Sequence, residues 1–270
     1  MANNCATRNA PADGGGPQSL SRVLSLLDTM ANSPDGVTLV ELKETLQTPK
    51  SSLLNLLRPL TSDGYVTRDR DRYRLGPSVF RLASSIMSVW NFSGTLRPFL
   101  EELARATGES VYLGALDTVG KAITYVDAIE STHAVRYSVP VGASRPLFST
   151  AAGRVLLAFG DRTWVAQYLD GVSFTAFTPQ TIQSREALQI ELDRIRQTRI
   201  SLSLGETFPE SGAIAAPIFD GNGTLMAAIA IGATVTRLEH RLAELRPALR
   251  DVAERASRMS GSSQRAAANQ

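Results

Sequence analysis

Cysteine and histidine are almost absent from this chain of 270 residues. Cys5 is the single cysteine and lies near the N-terminus, which excludes an intrachain disulfide and a cysteine-based metal site. The histidines are His133 and His240, and no cluster of Asp and Glu accompanies them, so we expect no metal and no cofactor. Three catalytic motifs are also missing: Gly-x-Ser-x-Gly, Gly-x-Gly-x-x-Gly and His-Glu-x-x-His.

Long hydrophobic runs are missing too. No apolar stretch reaches the roughly 18 residues of a membrane helix, and the N-terminus does not resemble a signal peptide. We therefore expect a soluble, cytoplasmic protein with no membrane partner. Apolar residues make up 43% of the chain and charged residues 20%, which is enough for packed cores. The length suggests two domains.

Positive charge is unevenly distributed, although the formal charge of the whole chain is only +2. Residues 18–48 carry a net charge of −2, whereas residues 50–81 carry +4. A local excess of arginine and lysine is typical of a surface that meets phosphate.

Residues 18–76 have the pattern of a winged helix-turn-helix. Apolar residues at helical spacing predict a first helix over 20–31. Thr38 with Glu41 forms a capping box for a second helix, and Thr48 with Pro49 is predicted to begin a third. Two short strands around an arginine-rich turn, 65–67 and 72–75, follow as the wing. In this motif one helix enters the DNA major groove, so double-stranded DNA is the expected partner.

The remainder of the chain is predicted to be a linker helix over 77–92 and an α+β domain over 93–258. From residue 109 the apolar pattern has a period of two, which predicts a mostly antiparallel sheet. The predicted strands are 110–116, 122–128, 136–141, 200–204, 212–219 and 225–232. The predicted helices are 151–159, 161–169, 184–198 and 237–258. Residues 1–17 and 259–270 have too few large apolar residues to form a core and are predicted to be disordered tails.

Candidate DNA contacts fall on the third helix and the wing. Its first turn would direct side chains toward base edges and phosphates, and Asn55 could read adenine through a bidentate pair. Alternate residues of a strand share a face, so the wing arginines are expected to line one side. The candidates are Thr38, Lys50, Ser51, Ser52, Asn55, Arg58, Arg68, Arg70, Arg72 and Arg74. Capping, solvation and a salt-bridged hairpin tip remain the alternatives.

Several stretches together resemble the IclR family of bacterial transcription regulators over about 240 residues. They are Ser19–Leu24, Pro49–Val66, Tyr73–Gly76, Val139–Gly142 with Pro146–Arg154, and Ala215–Asp220. The resemblance implies a GAF-like effector domain, a homodimer or tetramer, and effectors that are small carboxylates or aromatic acids. The chain departs from the family pattern at Leu54 and Asn55, where His and then Arg are common, which puts its operator sequence in question.

The same resemblance implies an effector pocket. Ala151, Ala152 and Gly153 match the start of the helix whose N–H groups hold the acid in the family. Sheet positions at which some members have Asp, Cys, Ser and Ser correspond here to Ser203, Ala213, Ala230 and Gly232. Phe148, next to Leu147, stands where His is common. We therefore expect a more apolar pocket and a larger or aromatic ligand, with simple core packing as the alternative. Further candidate walls of the pocket are Trp90, Val111, Leu113, Leu147 and Leu156.

Three functions remain open at this point. The leading hypothesis is a ligand-responsive DNA-binding regulator, with repression of a catabolic operon favoured. The alternatives are an enzyme that acts on a small organic acid derivative and carries an accessory winged helix, and a winged helix that binds only protein. The sequence names no catalytic residue for the enzyme.

Overall fold

A computed structural model describes residues 18–89 and 92–267. The chain divides into two compact units, Met1–Trp90 and Asn91–Gln270. The tail predicted over 1–17, the last three residues and Trp90 lie outside the described residues.

The first unit consists of helices around a three-stranded antiparallel sheet of order β1-β3-β2. Its elements are α1 (Gln18–Ala31), β1 (Val37–Thr38), α2 (Leu39–Leu46), α3 (Lys50–Ser62), β2 (Val66–Asp69), β3 (Arg72–Leu75) and α4 (Pro77–Val89). Leu26, Leu42, Leu53 and Val66 are fully buried at its centre. This is the predicted winged helix-turn-helix, with β1 as a strand that the sequence did not indicate.

The two helix starts differ from each other. At α2 the capping box is present: Thr38 Oγ1 accepts from Glu41 N at 3.3 Å, and Thr38 N donates to Glu41 Oε2 at 2.7 Å. At α3 the prediction that Thr48 caps the helix is wrong. The buried Thr48 hydroxyl donates instead to the Leu46 carbonyl at 2.9 Å, and Pro49 is the cap residue, with no side-chain bond.

The second unit is a six-stranded antiparallel sheet with helices on both faces. Its strand order is β6-β5-β4-β9-β8-β7. The strands are β4 (Ser110–Asp117), β5 (Ala122–Ile129), β6 (Ser144–Pro146), β7 (Ser201–Leu204), β8 (Ser211–Phe219) and β9 (Leu225–Thr234). The helices are α5 (Phe92–Thr107), α6 (Ala151–Phe159), α7 (Arg162–Gly171), α8 (Arg185–Thr198) and α9 (Val235–Ala267).

Each face of this sheet has its own core. Val111 and Ile214 belong to the core with α5 and α9, whereas Tyr112 and Ala215 belong to the core with α6, α7 and α8. Successive residues of a strand point to opposite faces, so adjacent positions separate into the two cores. The small side chains of β8 and β9 let α6 approach the sheet closely.

Two predicted elements are wrong. Residues 136–141 form no strand, because side chains hold this segment: Ser110 Oγ and Tyr112 OH both donate to the Tyr137 carbonyl, at 2.9 and 2.6 Å. The short β6 pairs with β5 in its place. The predicted C-terminal tail is also largely wrong, because α9 continues through Ala267.

Candidate functional site

Helix α3 presents a polar face to solvent. Leu53 and Leu57 are buried on one side, while Ser51, Asn55 and Arg58 lie at intervals of four and three residues on the exposed side. Lys50 is exposed next to them, and Ser52 is half-buried. Within the described part of the chain, the side chains of Lys50, Ser51, Asn55 and Arg58 have no hydrogen bond or ion pair. This face is therefore available to a partner.

The first turn of α3 also offers backbone donors. Leu53 N donates to the Pro49 carbonyl at 3.1 Å, but the N–H groups of Lys50, Ser51 and Ser52 meet no acceptor among the described residues. Free N–H groups and the helix dipole favour an anion at this end. Thr38, by contrast, has its hydroxyl engaged in the α2 cap.

The wing arginines do not share one face, and that expectation is wrong. Strands β2 and β3 are joined by the two-residue turn Arg70–Asp71, with Arg70 at a φ of 56°. In the resulting register Arg68 lies opposite Tyr73 and Thr67 opposite Arg74. Directly opposed residues point to the same side of an antiparallel pair. Arg68 therefore lies on the Tyr73 side, with its guanidinium 5.4 Å from that ring, and Arg72 and Arg74 lie on the other.

Three of the four wing arginines also have partners within the protein. Arg72 Nη1 donates to the Gly36 carbonyl at 2.8 Å, and Arg74 Nη2 donates to the Asp35 carbonyl at 3.1 Å. Arg68 Nε donates to the Arg70 carbonyl at 2.9 Å. The Arg70 side chain is exposed at the tip, with no such partner in the described chain. Arg70 is thus the wing residue most available to a phosphate.

A second candidate site lies in the other unit, between the first turn of α6 and the sheet. The strand register places Ser203 opposite Ala213 and Ala213 opposite Gly232, while Ala230 lies opposite Tyr112. The predicted sheet residues therefore lie in neighbouring rows on one face. Their side chains are small, and a cavity remains above them.

The lining of this cavity agrees with the prediction in part. Ala151, Ala152, Ser203, Ala213 and Ala230 line it as expected. The sequence did not point to its other lining residues, Tyr112, Tyr125, Tyr137, Thr150, Thr207, Ser211 and Gly212. One signal in the sequence could have identified Tyr112. It lies between Val111 and Leu113 in a strand, and alternation places its side chain on the opposite face of the sheet from theirs.

Several predicted pocket residues have other roles. Phe148 packs against Phe174 and Phe177, at ring distances of 5.3 and 6.2 Å. Leu147 is in the core, and Gly153 donates its N–H to Thr150 Oγ1 at 3.1 Å as part of the α6 cap. Gly232 supports the tyrosine rings, since a Cβ there would lie 2.8 Å from Tyr137 Cδ1. None of these four lines the cavity.

Val111 and Leu113 are not walls either, because they belong to the core on the opposite face of the sheet. Leu156 is buried in the core on the α6 face and does not line the cavity.

Apolar atoms provide most of the accessible lining of the cavity, and several hydroxyl groups lie among them. Hydroxyl groups of Thr150, Ser203, Thr207 and Ser211 accompany the three tyrosines in its lining. Burial raises the pKa of Tyr112 to about 12 and also raises the pKa of Tyr125 and Tyr137. The phenols therefore remain protonated at neutral pH. That of Tyr112 already donates to the Tyr137 carbonyl, which leaves those of Tyr125 and Tyr137 as donors. The lining suits a ligand rich in acceptor oxygens.

The space inside is small. Its volume of about 20 Å³ admits roughly one water molecule. An organic acid could enter only if part of the lining moved. Tyr137, Thr150 and Thr207 are the lining residues that lie in segments without regular secondary structure or at their edges.

Comparison with known proteins decides the family. The model of the IclR helix-turn-helix domain matches residues 19–70, and the model described as bacterial transcriptional regulator IclR C-terminal matches residues 85–258. The chain belongs to the IclR family of bacterial transcriptional regulators.

Individual relatives agree along nearly the whole chain. The HTH-type transcriptional regulator KdgR of Escherichia coli is 32% identical over 251 residues, which cover 91% of this chain and 94% of KdgR. The crystal structure of the Thermotoga maritima IclR is 26% identical, with a TM-score of 0.73 over 90% of this chain and 98% of that one. An IclR homologue from Microbacterium hydrocarbonoxydans in complex with 4-hydroxybenzoate is 19% identical, with a TM-score of 0.78 over 91% of this chain and 100% of that one.

Family membership makes this chain a DNA-binding transcriptional regulator with an effector-binding C-terminal domain. The predictions of fold class and general function are thereby confirmed. In the described ranges, 18–89 and 92–267, no helix is long and apolar enough to cross a membrane, and no group of three or more His, Cys, Asp or Glu could hold a metal ion.

Proposed function

We propose that the exposed face of α3 reads the operator and that the wing contacts the adjacent backbone. The observation that carries this proposal is the polar face of Lys50, Ser51, Asn55 and Arg58, which has no partner in the described protein. Lys50, Arg58 and the backbone donors of the first turn would bind phosphate. Asn55 would contribute base readout. Ser52 would add a contact at the edge of the same turn.

The experiment is fluorescence anisotropy with the DNA upstream of the protein's own gene, titrated with salt. Arg58→Ala and Arg70→Ala should each weaken binding and lower the slope of log K against log salt by about one. Asn55→Ala should reduce the preference for operator over random DNA by roughly 5- to 150-fold, as expected for one bidentate contact. Arg246→Ala, an exposed arginine of the second unit, is the matched control.

Arg72 and Arg74 are poorer test positions than the sequence suggested, because their substitution also removes bonds to the turn at residues 35–36. Unchanged affinity and salt slope in Arg58→Ala and Arg70→Ala, with Asn55→Ala equally specific, would refute the assignment of this surface.

We further propose that the protein is a repressor whose effector, a small organic acid, occupies the cavity between α6 and the sheet. Two observations support this: the cavity lies at a helix N-terminus, and hydroxyl groups surround it. Effector binding would shift the conformation that binds operator. Repeating the anisotropy titration with a panel of aliphatic and aromatic acids tests it, and a panel without effect on operator affinity would contradict it.

We propose self-association through the first unit. Leu20 and Leu24 of α1 are 60% and 58% exposed, and Phe80 of α4 is 77% exposed. Exposed large apolar side chains on neighbouring turns favour an interface. Sedimentation velocity of wild type and Phe80→Glu should distinguish dimer, tetramer and monomer, and an identical distribution for both would remove α4 from the interface. Val119→Glu, in a loop of the second unit, is the control.

We infer that the protein is not an enzyme and that it acts in the cytoplasm, where bacterial operator DNA lies. The family consists of transcriptional regulators, and the two histidines form no catalytic pair. His240 is exposed, and the His133 ring contacts the buried Glu109 at 3.9 Å. A turnover assay with esters of small organic acids tests the first inference, and saturable hydrolysis would overturn it.

A further inference from the structure

A second cavity, larger than the one at α6, opens in the second unit where an edge of the sheet meets α9. Its volume is about 370 Å³, at the lower end of the roughly 300–1,000 Å³ that small-molecule sites occupy. Strand β7 pairs with β8 only as far as Ala215, so residues 216–219 of β8 pair with β9 on one side alone. The cavity lies along this free edge. Its floor is formed by the buried, small side chains of Ala216, Pro217 and Ala253.

The walls of this edge cavity are positively charged. Arg199 comes from the turn between α8 and β7, whereas Arg250 and Arg258 lie about two turns apart on α9. With Glu254 the lining has three arginines and one glutamate, a net charge of +2. A concave surface with an excess of one charge raises the local concentration of the opposite ion. The cavity therefore favours an anion, and a dianion most.

Two of these arginines keep their donors for a ligand. Within the described chain, neither Arg199 nor Arg250 has an ion pair with a carboxylate. The Arg199 guanidinium lies over the Phe219 ring, 5.6 Å from its centre, and Arg250 Nη2 makes one long contact of 3.5 Å with the Thr198 carbonyl. Arg196 of α8, by contrast, pairs at 2.5 Å with the carboxylate three residues before it. Arg199 and Arg250 can therefore bind an anion without breaking an ion pair.

We propose that the edge cavity binds a small organic phosphate, a phosphomonoester, with Arg199 and Arg250 holding the phosphate group. A phosphomonoester carries close to two negative charges at neutral pH, which matches the charge of the lining. It offers three oxygens to the two guanidinium groups, whereas a carboxylate has only two to divide between them. The edge cavity shares no lining residue with the cavity at α6, so the phosphate site is a second ligand site.

The organic part of the ligand has a defined place beside the phosphate. The apolar floor and the Phe219 ring line the same cavity. Phe219 is fixed in position, because its N–H donates to Ser257 Oγ at 3.1 Å and its ring packs edge-on against Phe159 at 5.3 Å. A phosphomonoester can bury apolar surface here, which inorganic phosphate cannot do.

The test is isothermal titration of the full-length protein, at fixed ionic strength, with phenyl phosphate, glucose 6-phosphate and inorganic phosphate. Wild type should bind at least one of the two phosphomonoesters about 10-fold more tightly than inorganic phosphate. Arg199→Gln and Arg250→Gln should each weaken that binding by roughly 10-fold or more, since each removes charge-assisted hydrogen bonds. Glu254→Gln should strengthen it, because a like charge is removed. Arg162→Gln, at an exposed arginine of α7, is the matched control and should change nothing.

Three results would overturn the inference. They are the absence of binding of either phosphomonoester, equal affinity for these and for inorganic phosphate, and equal binding by wild type and by the double variant Arg199→Gln/Arg250→Gln. Both arginines are exposed, so thermal unfolding measured without ligand should be nearly the same in every variant. The titration contains no DNA, and its outcome is therefore independent of the proposed operator surface and of the effector cavity at α6.

Discussion

Glu206→Gln is expected to destabilise the effector-binding unit strongly, because Glu206 neutralises a buried arginine. Arg154 of α6 is 1% exposed and Glu206 is 8% exposed. Two parallel bonds join them, Nη1 to Oε2 at 2.8 Å and Nη2 to Oε1 at 2.7 Å. Nη2 also donates to the Leu202 carbonyl at 2.8 Å, and Nε has no partner in the described protein. The pair thus connects α6 to β7 and the loop that follows it.

The magnitude follows from the burial. Removing one partner of a buried pair costs about 3–5 kcal/mol, because the remaining charge is left in a poor solvent. For a unit of this size, each 1 kcal/mol lowers the melting temperature by roughly 2–4 °C. The amide of Gln can still accept one bond from Arg154, so we expect a loss near the lower limit, about 3 kcal/mol, and a melting temperature lower by roughly 6–12 °C.

The assay is thermal unfolding of the full chain followed by circular dichroism, with Asp193→Asn as the control. Asp193 pairs with Arg196 on the surface of α8, where both side chains are more than a third exposed. A surface pair contributes about 0–1 kcal/mol, so the control should move the melting temperature by only a few degrees. The double variant Arg154→Met/Glu206→Leu removes both charges and should recover much of the loss. Equal shifts for Glu206→Gln and Asp193→Asn would refute the reasoning.

Three further outcomes are expected. The backbone and side-chain hydrogen bonds from Thr38 lower the pKa of Glu41 below its usual value. The ionised Glu41 carboxylate therefore stabilises the fold above the unfolded pKa of about 4.3, and this stabilisation is lost as pH falls through the lower folded pKa. Glu41→Gln should make the melting temperature less dependent on pH between about 6 and 3, and an unchanged pH profile would contradict this. Tyr112→Phe removes the 2.6 Å hydrogen bond to the Tyr137 carbonyl. Amide hydrogen exchange should become faster across residues 130–143 and stay unchanged in α8. Equal exchange over residues 130–143 in the variant and the wild type would show that this bond does not hold the segment. Gly153→Ala would place a Cβ 2.4 Å from a backbone oxygen of the preceding loop and should lower stability by about 1–3 kcal/mol in chemical unfolding, whereas the gain of about 1 kcal/mol typical of Gly→Ala in a helix would refute the steric argument.

Local signals in the sequence accounted for most of the first unit. The Thr38–Glu41 box, the leucines at helical spacing and the alternating strands need only short-range backbone rules, and α2, α3 and the wing lie where they were predicted. The failure at Thr48 is local as well, because α3 begins one residue later than predicted and Pro49 is its cap residue. The buried Thr48 hydroxyl donates to the Leu46 carbonyl instead.

The candidate sites depended on longer-range geometry. Alternation along one strand suggested that the wing arginines share a face. The two-residue turn at Arg70–Asp71, however, sets a register in which Arg68 of β2 is opposite Tyr73 of β3, so Arg68 lies on the other face from Arg72 and Arg74. The same limitation applied to the pocket. The small residues of β8 and β9 were identified by position, whereas Tyr137 reaches the cavity from a segment predicted to be a strand.

The sequence by itself therefore determined most of the order of elements, the two-unit organisation, the family and the helix that presents the polar face. These properties follow from backbone propensity, hydrophobic period and motif spacing, all of which act over a few residues. Only the tertiary structure decided which hydroxyl groups line the cavity, which wing arginine is unengaged and that the buried Arg154 is paired with Glu206. Those properties depend on which side chains meet across strands that are far apart in sequence, and no local pattern encodes that meeting.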